Sequence, residues 1–194
     1  MLFKLNRDQY KTQEAYLFHL YNDLGCVDLA IAYFDGNFWS KWFSFQDLQH
    51  KNRDELIWRG TTVEEFYEKA NNRTILDIEL LFDFDEDDKG STNPEDIKKY
   101  GFKAIKKLNE SGIYGECYFS GSKSIHYSVL VPELRLLSNY QRERFKERAL
   151  NPLNEDKTVS FKADLQKKAK RTMIAMEGQF HWKTGNIKTR LKDE

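Results

Sequence analysis

The feature that most constrains the fold is one run of residues, Ile75-Leu76-Asp77-Ile78-Glu79-Leu80-Leu81-Phe82-Asp83-Phe84-Asp85, which starts apolar and ends in alternating carboxylates before an acidic loop at Glu86-Asp87-Asp88. It reads as a strand. Residues two apart in a strand share a face, so Asp83 and Asp85 project side by side while Phe82 and Phe84 turn the other way, into the core. Two like charges so placed repel unless a cation joins them. Hard oxygen ligands at this spacing suit Mg²⁺ or Mn²⁺, with waters and substrate phosphates in the remaining positions. The same pattern also ends ordinary solvated strands, so alone it leaves both readings open.

The elements around this run follow from spacing and punctuation. Residues 7–24 carry apolar positions near helical spacing, with Gly25 placed to end a helix. Val27 to Phe34 and Phe38 to Phe45 flank Asp35-Gly36, which predicts a β-hairpin with a type I′ turn. Thr61/Thr62 with Glu64/Glu65 is a capping box for a short helix through Ala70, closed by Asn71-Asn72. Asn93, Pro94 and Glu95-Asp96 open a helix whose periodic face includes Ile97, Phe102, Ile105 and Leu108 and which Gly112 ends. Strands are expected at Gly115 to Phe119 and Ile125 to Val131, a helix at about 138–150 and a strand at Thr158 to Ala163. Asp164 to Lys170 reads as a polar turn or short helix, Thr172 to Met176 as a strand, and the tail as basic. From residue 79 onward the order strand, helix, strand, strand, helix, strand is that of a ferredoxin-like or RNA-recognition-type α+β sandwich. With no repeat and no long linker, 1–194 is expected to be one compact domain, an N-terminal α/β unit (1–74) fused to an RNA-recognition-motif-like mixed sheet (75–194) that carries the carboxylates.

Composition narrows the function. With 194 residues, 14 Phe, 10 Tyr and 4 Trp, the chain can fold by burial of an aromatic core. Two cysteines, Cys26 and Cys117, are too few for a four-cysteine zinc site or a disulfide framework, so free thiols in a reducing compartment and no zinc are expected. No apolar run approaches the roughly 20 residues that span a bilayer, and the start is too polar for a signal peptide. A soluble, cytoplasmic protein without a membrane partner is the expectation. The formal net charge of +0 argues against a nucleic-acid partner until it is divided. Residues 1–97 carry 10 Lys/Arg against 20 Asp/Glu, and residues 98–194 carry 21 against 11. Such asymmetry suits an acidic site beside a basic surface, and equally two solvated faces of opposite sign.

Two further constellations could hold phosphate. Ser120-Gly121-Ser122-Lys123-Ser124-Ile125-His126 is a small-residue turn between strands. Its backbone N–H groups and hydroxyls could cradle an anion while Lys123 adds charge; an ordinary hairpin loop with a satisfied histidine has the same form. His181-Trp182-Lys183-Thr184-Gly185, preceded by Asp164 and Arg171, again combines a histidine, a lysine and a Thr-Gly turn, or is simply a basic surface tail.

Taken together, the three segments resemble the archaeo-eukaryotic primase superfamily, specifically the catalytic small subunit of archaeal and eukaryotic DNA primases, from about Trp42 to the C-terminus. Trp42-Phe43-Ser44-Phe45 is similar to the aromatic strand that precedes the catalytic region in that family. The resemblance implies that Asp83 and Asp85 are the metal-binding Asp-x-Asp and Asp164 the third metal ligand. It implies that Ser120, Gly121, Lys123 and His126 match the nucleotide-binding Ser-Gly-x-x-Gly-x-His turn, and that His181, Lys183, Thr184 and Gly185 match His-x-Lys-Thr-Gly. The chain departs from the pattern in several places. Ser124 stands for the second Gly of the turn and Ser122 for its first basic residue, and Ala175 and Glu177 stand where a basic residue and a Pro usually precede His181. Arg171 is the residue expected to compensate. The zinc-binding insertion of many relatives is missing, which makes this a minimal form.

The resemblance thus implies a template-dependent nucleotidyl transferase that makes primers on single-stranded DNA from NTPs or dNTPs, using two divalent ions (Mg²⁺ or Mn²⁺) on Asp83, Asp85 and Asp164. Ser120, Lys123, His126, Arg171, His181 and Lys183 would grip the triphosphate. Lys162, Lys167, Lys168, Lys170, Arg171, Lys188 and Arg190 would track the template backbone. A primase large subunit or replicative helicase is an expected partner. The setting would be the cytoplasm, with an archaeal, plasmid or viral origin, or the nucleus of a eukaryotic cell. Two rivals are a primase-fold accessory subunit that only binds single-stranded nucleic acid or a replication partner, and an RNA-recognition-like sheet that stacks bases on exposed aromatics of its central strands.

Overall fold

The helical spacing over residues 7–24 resolves into pieces. In the computed structural model, which describes residues 4–150 and 172–191, α1 spans Gln13–Phe18. Its N-cap Thr12 accepts a hydrogen bond from the Ala15 amide, and a turn of π-helix, His19–Asp23, continues it toward Gly25 at φ 65°. The helix begins later than its apolar pattern because the capping threonine, not Tyr10, satisfies the first free amides. The hairpin follows as β1 (Ala30–Ala32) and β2 (Phe43–Ser44), with Ile31 opposite Phe43. Its tip is not a type I′ turn. Gly36 has φ 98°, whereas Asp35 uses its Oδ1 to accept from the amides of Asn37 (2.9 Å) and Phe38 (2.7 Å). After α2 (Phe45–Gln49) come a second hairpin, β3 (Leu56–Trp58) and β4 (Thr61–Thr62), and then α3 (Val63–Lys69). The Thr62–Glu65 capping box of α3 is complete in both directions.

The apolar-to-acidic run does not form one strand. It bends at Asp77-Ile78, so that β5 (Asn72–Thr74) lies before the bend and β6 (Glu79–Phe84) after it. The two strands belong to different sheets. The chain continues through α4 (Pro94–Glu110), β7 (Glu116–Phe119), β8 (Ile125–Leu130), α5 (Asn139–Leu150), β9 (Met173–Ala175) and β10 (Thr189–Arg190). Among the described residues the first four-stranded sheet has the order β2-β1-β5-β9 and the second β10-β7-β8-β6. Their ladders are antiparallel, where a mixed sheet was expected. The order from β6 to α5 is that read from the sequence. β10, drawn from the basic tail, closes the β7 edge. The strand expected at residues 158–163 lies outside the described residues. No helix among the described residues is long and apolar enough to cross a membrane.

Two cores hold the sheets. Leu80, Phe82 and Phe84 of β6 pack with Ile125, Tyr127 and Val129 of β8 against Ile97, Ala104, Ile105 and Leu108 of α4. Each such large side chain contributes on the order of 1.5–3 kcal/mol by leaving water. Phe102, expected on the same helix face, is 38% exposed because it falls outside the stripe set by residues 97, 101, 104, 105 and 108. Gly101 lies on that stripe, and a Cβ there would come within 2.9 Å of Ile125. The second core joins α1, α3 and the first sheet through residues such as Leu17, Leu20, Ile31, Phe45 and Phe66. The opposite face of β6 turns toward the first sheet, where Leu81 meets Ile75 and Ile174 of β9.

A buried ionic hub ties the two sheets together. Arg73 of β5 donates to both oxygens of Glu177 (2.8 Å each) and to both oxygens of Glu79 on β6 (2.7 and 3.2 Å). Lys188 Nζ donates to Glu177 at 2.7 Å and to the Ala175 carbonyl at 2.9 Å, Tyr16 OH donates to Glu177 at 3.0 Å, and Ser128 Oγ to Glu79 at 2.6 Å. Two cations thus balance two carboxylates with essentially no exposure. Burial alone would push the Glu177 carboxyl up, but Arg73 and Lys188 outweigh it and hold it well below the usual carboxylate range. Burial likewise opposes the charge on Arg73, and Glu177 and Glu79 overcome it, so its pKa rises. At the bend, the buried Arg142 of α5 donates to the backbone carbonyls of Asp77 and Leu134.

Candidate functional site

The site assembles around the face of β6 that looks toward the first sheet. Phe82 and Phe84 are fully buried and stacked on the α4 side, which leaves Asp83 on the other face. There it lies in register with His126 of β8, its Oδ1 at 3.5 Å from His126 Nε2. Asp83 is 1% exposed and His126 3%. Asp85 stands one residue beyond the end of β6 and is half-buried.

The loop from Ser120 to Ser124 leads into His126. Ser120 Oγ accepts from the amides of Ser122 (3.3 Å) and Ser124 (3.2 Å) and from the Ser124 hydroxyl (2.9 Å), while the Ser120 amide donates to the Ser124 carbonyl. Two of the amides expected to face an anion are therefore turned inward onto a serine. The Ser124 hydroxyl thereby helps to close the loop. Lys123 stands exposed at the tip.

The turn at His181–Gly185 lies over this loop. Thr184 Oγ1 donates to the Gly121 carbonyl at 2.5 Å, and the Thr184 and Gly185 amides donate back to the His181 carbonyl. Gly121 has φ +86°, and a Cβ there would sit 2.7 Å from the Asn186 carbonyl oxygen and 2.9 Å from His181 Cβ. Only glycine lets the two segments approach this closely. A cavity of about 200 Å³ opens at the junction, lined by Ser120, Ser124, His126, His181 and Trp182 from these segments and by Asn72, Ala175 and Trp39 from the first-sheet side. Ligand pockets run to roughly 300–1,000 Å³, so this one suits a polar headgroup while the remainder of a ligand lies outside. Two larger depressions, of about 420 Å³ along α5 and about 540 Å³ beside α1, contain none of these residues.

The structure therefore brings together Ser120, Gly121, His126, His181, Thr184 and Asp83, with Asp85, Lys123 and Lys183 at the margins. Asp164 and Arg171 lie outside the described residues, as do Lys162, Lys167, Lys168 and Lys170. Lys188 is not on a template-facing surface, because it is consumed by the buried Glu177. Arg190 pairs with Glu116 at 2.5 Å. Among the described residues no group of three or more His, Cys, Asp or Glu could hold a metal ion. Sequence reasoning missed Trp39, Asn72 and Trp182, which reach the cavity from separate parts of the chain. Trp182 lay inside a segment already singled out and was the accessible clue. Phe82 and Phe84 of β6 and Tyr118 and Tyr127 of the central strands β7 and β8 are buried, so these rings are closed to stacked bases, and Phe119 of β7 is half-buried.

The fold is similar to the solved "Polymerase Domain from Mycobacterium tuberculosis Ligase D in complex with DNA", with a TM-score of 0.55 and 11% sequence identity over 99% of this chain and 86% of that chain. No protein-family model and no curated protein matches the sequence. The α+β fold class expected from the sequence is the one observed, and the fold is shared with that polymerase domain.

Proposed function

We propose that this chain is a template-dependent nucleotidyl transferase acting on single-stranded DNA, a primase or primase-polymerase. The observation that carries the reading is the convergence of the Ser120–His126 loop and the His181–Gly185 turn on one cavity beside the Asp83 strand end. The fold's similarity to a polymerase domain supports it.

The donor chemistry fits a divalent ion. Asp83 and Asp85 are hard oxygen donors two residues apart, one of them buried, and their mutual repulsion favours a cation between them. Together with Asp164 they would hold two Mg²⁺ or Mn²⁺ ions, which supply activation of a 3′-hydroxyl and neutralisation of the departing pyrophosphate. The chain's own groups do the rest. His126 and His181 line the cavity as donors toward phosphate oxygens, Lys123 and Lys183 add positive charge at its rim, and Arg171 joins them in this reading. Ser120 acts as the internal clamp of the loop, so its contribution is to keep Lys123 and His126 in place. NTPs or dNTPs are the substrates, and a primase large subunit or replicative helicase would assist initiation.

A second reading, an accessory subunit that binds single-stranded nucleic acid or a replication partner without chemistry, draws support from the inward-turned amides of Ser122 and Ser124. Incorporation of labelled NTP and dNTP on a homopolymer template with Mn²⁺ separates the two. Incorporation by the unsubstituted chain, lost to background in Asp83→Ala and in Asp83→Ala/Asp85→Ala with the melting transition retained, supports the enzyme. Full activity in the double variant would sink it, and oligonucleotide binding without Mn²⁺-dependent nucleotide binding would favour the accessory subunit.

A further inference from the structure

The β3–β4 hairpin contains a local contradiction. Trp58 pairs with Thr61, leaving Arg59-Gly60 as a two-residue loop in which both residues have positive φ, 47° and 82°. Such a turn favours Asn or Gly at its first position. Arg59 is the only non-glycine with positive φ among the described residues. The strained backbone directs its guanidinium over the Phe38 ring at 4.2 Å and near the Trp58 ring at 5.3 Å, and Lys41 Nζ lies 5.7 Å from Trp58. Strain held at one surface position, with a cation laid over the exposed Phe38 ring and beside the half-buried Trp58, points to a ligand.

The next residue begins a second aromatic group. Trp182 meets Phe34 and Trp39 edge to face, with centroids 5.4 and 5.5 Å away, Phe34 and Trp39 lie tilted at 5.2 Å, and Lys183 Nζ sits 4.9 Å from the Trp182 ring. Trp39 and Trp182 are both walls of the cavity. Phe38 is 54% exposed and Trp39 and Trp182 39% each. Three cations thus accompany two sets of rings, in which Phe38, Trp39 and Trp182 are exposed and Phe34 and Trp58 half-buried; one set stands at the cavity mouth and the other at the β3–β4 tip. The nearby Asp35 carboxylate is engaged by the Asn37 and Phe38 amides.

We propose that this surface is the docking track for single-stranded DNA, with bases stacking on Trp39 and Trp182 at the cavity mouth and on Phe38 and Trp58 beyond it, and phosphates meeting Lys41, Arg59 and Lys183. The choice of occupant rests on the nucleic-acid substrate proposed above and on charge. A polyanion that presents flat rings complements cations interleaved with aromatics. Most of the track, Phe38 to Arg59, comes from the acidic half of the sequence, where the charge sum alone pointed away from it, and Trp182 and Lys183 come from the basic half.

The test uses the full chain and a labelled oligothymidylate of about 16 nucleotides, the upper end of the site size for one small binding domain. Binding is followed by fluorescence anisotropy across a salt series. Phe38→Ala is expected to weaken binding about tenfold with an unchanged salt dependence. Arg59→Gly relieves the turn, so it should raise the melting temperature while weakening binding and reducing the log–log salt slope by about 0.7. A merely structural arginine would not couple higher stability to weaker binding. Wild-type affinity in both variants would overturn the assignment, as would absence of oligonucleotide binding by the unsubstituted chain, or self-association that Phe38→Ala abolishes without any oligonucleotide binding. Binding that depends on both residues in a chain that incorporates no nucleotide would uphold the track and remove the catalytic reading. Incorporation with affinity indifferent to both residues would do the reverse.

Discussion

Strand β6 carries a carboxylate at each end of one face, and the two ends are treated differently. Glu79 is met by a bidentate guanidinium, a serine hydroxyl and the Leu76 amide, inside a hub that no water reaches. Asp83, four residues on and almost as buried, faces a histidine whose charge depends on pH, with Asp85 two residues away. A carboxylate paired with a permanent cation is committed to the fold. One placed beside a histidine and a second carboxylate is, in the function proposed above, the one that would meet a metal ion. Burial alone therefore does not tell these two acids apart; the groups that lie across from them do.

That contrast can be broken most severely at Arg73. Arg73→Met leaves Glu79 and Glu177 without their shared cation, and a loss of about 3–5 kcal/mol in urea denaturation is expected. A loss below about 1 kcal/mol would mean the hub is not what joins the sheets. The same hub makes an acid limb. Because the folded-state pKa of Glu177 is depressed, its stabilisation is present above the ordinary carboxylate value and disappears as pH falls below that value toward the depressed one. Melting temperature should therefore decline below about pH 4.5, and Glu177→Gln should flatten that decline while lowering stability at pH 7.

At the other end of the strand the effects are smaller. Gly121→Ala forces a left-handed backbone and a collision with Asn186 and His181, for an expected cost of about 1–2 kcal/mol or a displaced His181 turn. A thermal melt together with Mn²⁺-dependent nucleotide binding would register either. Smallest of all, Asp83→Asn should change stability by less than about 1 kcal/mol at pH 7, or raise it, because it removes a buried negative charge beside another. A loss as large as that of Arg73→Met would place Asp83 with Glu79 and erase the distinction.

Much of this was legible in the residues. Asn93-Pro94 opened α4, the Thr62–Glu65 box opened α3, and the alternation of Phe82 and Phe84 with Asp83 assigned the two faces of β6, because each signal acts over a few residues. The β3–β4 hairpin escaped notice because Arg-Gly is not a usual turn pair. The bend at Asp77-Ile78 also escaped, since the apolar pattern runs straight through it and the Arg142 that donates to the Asp77 carbonyl lies far along the chain.

By itself the sequence determined the α+β class, the pairing of small-residue turn with carboxylate strand, and the separation of charge along the chain. Periodicity, caps and turn residues carry that information locally. Only the tertiary structure decided which charges are paired inside the buried hub and which residues meet at the cavity. Lys188 and Glu177 read as a basic tail and a departure from a motif until Arg73 closed around them, and nothing in the sequence joined Trp39 to Trp182, which meet at the cavity. The energy of a charge or a ring depends on what lies across from it, and those neighbours are set by long-range packing rather than by adjacency in the chain.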